Sequence, residues 1–199
     1  MKNLLSTLCY KIGLFKIDKT DFFEYLKRLN DDFAENVLKL KNLDNENHKE
    51  SVFEIKIFLF VISNKILREK FTEKQFSESI NFYINEIIFD SSVSNLIGKN
   101  NIRNFIDERC SFHHNGLIEF SKIHKNKNYH PMPKDYSQVL YTIFFKSPLV
   151  KMDEIDFMPD LTNPFPPLEN HLTIMSLFKF SIPFYQKSLE RFIFYTKKW

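Results

Sequence analysis

The sequence predicts an all-α fold: a single-domain, irregular helical bundle of about six to eight helices, with a proline-rich excursion before the C-terminal helix. Three observations carry this expectation. Apolar side chains recur every three or four residues along most of the chain, the rhythm of a helix with one buried face. Asp, Asn or Thr residues stand ahead of several of these runs at capping distance. No segment alternates cleanly enough to demand a strand. The 199 residues suit one domain, and 43% hydrophobic against 27% charged residues is a composition that builds a core.

Taken in order, the first helix is expected over Leu4 to Lys16, with Leu4, Leu5, Leu8, Ile12 and Phe15 on one stripe. The rhythm restarts after Asp18 through Phe22, Leu26, Phe33, Val37 and Leu40, with Asp21 and Glu24 at capping-box spacing. Asn47 and Glu50 have N-cap and N3 spacing for a third helix reaching about Glu69. That helix contains Ile57 to Ile62, apolar on all sides, so it is expected at the centre of the bundle with Phe60 buried. Thr72 and Gln75 form another capping box, opening a helix through Ile87.

Asp90 to Asn95 reads as a turn, Gly98 as a C-cap, and a further helix starts near Asn101. Gly116 falls inside that helix, so either a neighbour crosses closely there or Asn115 and Gly116 end it. Beyond Lys122 the character changes. Phe120 to Lys134 holds four lysines, two histidines and no acid, while Asp153 to Glu169 holds five acids and no Lys or Arg. A short helix, Tyr136 to Lys146, separates them; its stretch Tyr141 to Phe145 reads as strand or helix. Seven of the eight prolines lie between 131 and 167. Helical pattern resumes from His171 to Phe194, kinked or split at Pro183. The expected organisation is a bundle core over 1–122, a short helix with basic and acidic proline-rich segments over 123–169, and a C-terminal helix over 170–199 packing on the bundle.

Composition excludes several function classes. With only Gly13, Gly98 and Gly116, no phosphate-cradling glycine loop or nucleophile elbow can form. The net charge of +3 is short of a nucleic-acid-binding composition. The longest purely apolar run has six residues, Ile57 to Ile62, against the roughly 20 that span a bilayer. Cys9 and Cys110 lie far apart and fit free thiols in a reducing, cytoplasmic setting, although one disulfide stays open. No cofactor and no metal site is expected.

Four constellations remain. Arg109 and His114, separated by four residues, have the spacing of the R-x4–6-H motif and in this resemble the HEPN-type ribonucleases. The resemblance implies metal-independent RNA cleavage on a helical fold, with the two side chains converging in a solvent-accessible cleft and usually across a dimer interface. The residue after Arg is Cys110, where that motif usually has Asn, Asp or His. The alternative, and preferred, reading is an ordinary helix in which Arg109 pairs with a carboxylate and one adjacent histidine packs on the core. Cys110 with His113 or His114, joined by His124 and His130, is an unusual set for structural zinc, which wants four closed ligands.

The basic stretch Lys122 to Lys134 interleaves cations with Tyr129, a pattern that can hold single-stranded nucleic acid, or that merely mirrors the acidic stretch. Met152 to Pro167 combines Phe157, Met158 and Phe165 with four acids and with Pro159, Pro164, Pro166 and Pro167. Prolines lower the entropy lost on docking, and aromatic residues and Met are favoured in interface cores. The segment either wraps its own bundle or, through Phe157, Met158, Phe165 and Pro166, meets another protein.

The functional expectation is a non-enzymatic protein-protein interaction module: an adaptor, inhibitor, effector or assembly subunit. The alternative is a HEPN-like RNA-cleaving or RNA-binding domain using Arg109 and His114. A third reading places the Phe-rich terminal helix on a membrane surface, with Lys197, Lys198 and Trp199 at the interface.

Overall fold

The computed structural model describes residues 17–39, 47–89, 91–98, 101–125, 134–151 and 168–196. The expected first helix, residues 126–133 of the basic stretch and the segment Met152 to Pro167 lie outside the described residues.

The described residues are all-α, as the apolar rhythm predicts, and fold around one continuous core. The helices are α1 (Lys19–Lys39), α2 (His48–Lys70), α3 (Glu73–Phe82), α4 (Ser91–Ile97), α5 (Ile102–Lys125), α6 (Lys134–Phe145), α7 (Leu168–Ser176) and α8 (Ile182–Tyr195). A π-helical turn, Tyr83–Ile88, extends α3, and a second, Leu177–Ser181, joins α7 to α8, making seven helical rods. The only extended pairing among the described residues is an isolated parallel bridge between Ile17 and Thr196.

The start of α1 is set by Asp18, whose Oδ1 accepts the Asp21 N–H at 2.9 Å. The helix therefore begins one turn before the Asp21–Glu24 spacing suggests. The Thr72–Gln75 capping box forms as expected: Thr72 Oγ1 accepts the Gln75 N–H at 3.4 Å and Gln75 Oε1 accepts the Thr72 N–H at 3.1 Å. Asn47 occupies the N-cap position of α2 without a side-chain cap.

The central helix is α2. It packs against α1, α3, α4, α5, α6 and α8, so nearly every side must be apolar. Ile57, Phe58, Leu59, Phe60 and Ile62 are all buried, Phe60 at 8% exposure.

Two local features differ from the sequence reading or resolve it. Ser91 to Asn95 is helical rather than a turn, because Val93 is buried and gives the short α4 an anchor on the core. Gly98 then stops the helix with φ +91°, a left-handed conformation that glycine adopts freely. Gly116 does not end α5. A Cβ built there falls 2.3 to 2.5 Å from the Tyr136 ring, so α6 lays an aromatic ring directly on the glycine backbone.

The last rod explains Pro183. Proline has no N–H and its ring crowds the preceding turn. The π turn widens the helix just there, with the Ile182 N–H bonding to the Leu177 carbonyl, so Pro183 sits in the first turn of α8.

Candidate functional site

Two charged side chains meet where α2, α5 and the segment after α6 converge. Arg109 of α5 is 1% exposed and Glu54 of α2 is fully buried. Arg109 Nε donates to both Glu54 oxygens at 3.1 Å. Arg109 Nη2 also donates to the Val150 carbonyl, and the Leu149 N–H donates to Glu54 Oε1 at 3.1 Å. The guanidinium lies over the Phe105 ring, 4.7 Å from its centroid. Leu149 has φ 62°, a left-handed conformation that a branched residue adopts only when its surroundings impose it. Here the imposing groups are the two buried charges, one holding the Leu149 N–H and the other the Val150 carbonyl.

Burial pushes the Glu54 carboxyl above its usual value, against the pull of Arg109 and the Leu149 N–H. Such a pair gains little net stability over an apolar one, but neither charge tolerates loss of the other. What it achieves is placement: it clamps the backbone at 149–150, immediately before the acidic proline-rich segment begins.

One turn along α5, His113 sits on the same helix face as Arg109. It is completely buried among aromatic rings, 5.2 Å from Phe58 and 5.3 Å from Phe112. Neither ring nitrogen has a hydrogen-bond partner among the described residues. Burial, with Arg109 nearby, lowers its pKa to about 3, so the ring is neutral at physiological pH. His114, in contrast, is exposed. Five residues along a helix turn the chain by roughly 140°, and the structure does not bring Arg109 and His114 together within the chain. This arrangement matches the ordinary-helix reading, with Arg109 paired to a carboxylate and a neighbouring histidine on the core.

Cys110 is a free, half-buried thiol whose pKa is pushed up to about 12 by burial, with Asp107 adding to the effect. A thiol held protonated is a poor nucleophile and a poor metal ligand. No group of three or more His, Cys, Asp or Glu side chains is placed to hold a metal among the described residues. Phe157, Met158, Phe165, Pro166 and His130 lie outside them, as does the His124 side chain.

A second buried polar cluster escaped the sequence reading. Tyr83 and Tyr185 both donate their hydroxyls to Asn30 Oδ1, the latter at 3.3 Å. With the Tyr185 proton so committed, the Ser63 hydroxyl donates to the Tyr185 oxygen at 2.6 Å. Asn30 Nδ2 in turn donates to the Leu26 carbonyl at 2.6 Å. All four side chains are buried, and burial pushes the Tyr185 hydroxyl up to about 12. The cluster ties α1, α2, the π turn after α3 and α8 to one point, a structural rather than a chemical arrangement. The signal for it is Asn30 on the Phe22, Leu26 and Phe33 stripe of α1, where a polar residue needs a partner.

Comparisons with protein-family models, curated proteins and solved structures returned no match.

Proposed function

We propose that this chain is a non-enzymatic helical module that binds another protein, as an adaptor, inhibitor, effector or assembly subunit, through Phe157, Met158, Phe165 and Pro166. The observation that supports this reading is the clamp of Leu149 and Val150 by Glu54 and Arg109. It roots the segment that contains those residues on the rigid core two residues before Met152, and α7 takes up the chain again at Leu168. A binding segment held at both borders has less freedom to lose on docking, and its prolines reduce the loss further. Its four acids suit a basic partner surface. A reducing, cytoplasmic setting accords with the free thiol of Cys110.

The test is quantitative affinity capture with the full chain and with Phe157→Ser, Phe165→Ser. Both proteins are expected to melt at the same temperature, and the variant is expected to lose its captured partner by about tenfold or more. Equal capture by the two proteins overturns the reading. No observation favours the RNA-cleaving alternative, since Arg109 is committed to Glu54. Wild-type protein is expected to leave RNA intact, and cleavage that disappears in both Arg109→Ala and His114→Ala would replace this proposal.

A further inference from the structure

The outer face of α8 and of the π turn before it carries three of the seven large hydrophobic side chains that stand exposed among the described residues. Ile182, Tyr185, Leu189 and Ile193 of α8 turn into the core. On the opposite side Phe184, Lys187, Arg191 and Phe194 follow one another at helical spacing and are all exposed. Phe180, one turn before Phe184, continues this stripe, with the Lys179 ammonium 5.3 Å from its ring centroid. Exposure is 63% for Phe180, 72% for Phe184 and 70% for Phe194. The stripe runs about 20 Å along the helix.

Positive charge is unevenly distributed along the sequence. Residues 1–16 hold three lysines and no acid, while residues 177–199 hold five basic residues and one acid. Together they carry +7, whereas the chain as a whole carries +3, so the other 160 residues carry −4. The Ile17–Thr196 bridge sets Ile17, which follows the first of these segments in sequence, against the residue that closes α8.

We propose that this face docks flat on an anionic lipid surface. Phe180, Phe184 and Phe194 enter the boundary between headgroups and acyl chains, and Lys179, Lys187 and Arg191 lie at the level of the anionic headgroups. The pattern distinguishes this occupant from a protein groove. A helix that docks in a groove presents unbroken apolar anchors at i, i+3, i+4 and i+7, whereas here cations occupy the positions between Phe184 and Phe194. Long cationic side chains interleaved with aromatics are tolerated where the heads can reach lipid phosphates while the stems stay apolar. The helix lies on the surface and does not cross it: no helix among the described residues is long and apolar enough to span a bilayer.

Trp199, the chain's single tryptophan, lies three residues beyond Thr196 and is a built-in probe. With the full chain and vesicles of phosphatidylcholine containing about 30% phosphatidylglycerol, a blue shift of its emission and co-sedimentation are expected, weakening as salt rises. Pure phosphatidylcholine vesicles are expected to bind about tenfold less or worse. Phe180→Ser, Phe184→Ser and, separately, Lys187→Glu, Arg191→Glu are each expected to weaken binding by about tenfold or more. All these positions are exposed, so the melting temperature should stay within about 2 °C of wild type. Three outcomes overturn the proposal: no binding by the wild type, equal binding to neutral vesicles, or binding indifferent to both variants. A dimer that Phe184→Ser dissociates, in protein inert to vesicles, assigns the face to a second copy of the chain instead.

Discussion

Arg109 and Glu54, 55 positions apart in sequence, form a buried ion pair with Nε at 3.1 Å from both carboxylate oxygens. Each partner also bonds the backbone beside it, Glu54 accepting the Leu149 N–H and Arg109 donating to the Val150 carbonyl. The relationship is one of mutual dependence. Arg109→Ala leaves a carboxylate buried without compensation, and Glu54→Ala does the same to a guanidinium. Each is expected to lower stability by about 3–5 kcal/mol. The joint replacement Glu54→Leu, Arg109→Met should recover most of that loss, because a well-packed apolar pair of similar size removes both desolvation costs. Urea unfolding of the four proteins in a double-mutant cycle checks this, and additive losses would contradict it.

His113 makes stability depend on pH. Its pKa falls from 6.5 to about 3 on folding, so between these values the unfolded chain binds a proton that the folded chain refuses. The contribution of His113 to stability therefore rises with pH across that window: it is fully present above about 6.5 and declines on acidification by up to about 1.4 kcal/mol per pH unit. His113→Leu removes two nitrogens that have no partner among the described residues, and the titration with them. The variant is expected to match or exceed wild-type stability at pH 7, and to lose less between pH 6.5 and 4.5. Denaturation midpoints across that range decide it.

Gly116 and Tyr136 share one space. Gly116→Ala drives a methyl into the tyrosine ring, and the crowding should cost about 1–3 kcal/mol despite the better helix propensity of alanine. Tyr136→Ala opens a cavity and is destabilising too, but in that background Gly116→Ala should cost little or nothing. Thermal melts of the two singles and the double test the coupling.

Phe60 lies against Tyr83, with ring centroids 5.0 Å apart, inside the central helix. Phe60→Ala is expected to cost about 3–5 kcal/mol through lost transfer energy and the cavity left behind. A midpoint shift in urea without a change of slope would attribute the loss to stability alone.

Much of the architecture is written in the apolar rhythm. The identity of α2 as the central helix follows from Ile57 to Ile62 having no polar side to offer, and the start of α3 follows from Thr72 and Gln75. What the rhythm hides is partnership. Glu54 sits between Phe53 and Ile55 on a helix apolar all round, and Arg109 sits on the stripe that carries Ile102, Ile106 and His113. A charge on such a stripe demands an opposite one, yet which helix supplies it depends on tertiary arrangement. Motif spacing directed attention to His114, while the helical period from Arg109 selects His113 instead. The helix α4 was obscured by its serines, whose turn preference yields when Val93 finds a buried place.

The hydroxyl and amide cluster around Asn30 has a bearing on how the protein is born. Its members stand at positions 30, 63, 83 and 185, so the knot cannot close while the ribosome still holds the final helix in its tunnel. A nascent chain interrupted before Tyr185 would leave the Ser63 hydroxyl without its Tyr185 partner in an oily interior, and Asn30 with one tyrosine donor instead of two. Products of premature termination should accordingly be clients of chaperones and proteases rather than shorter working copies.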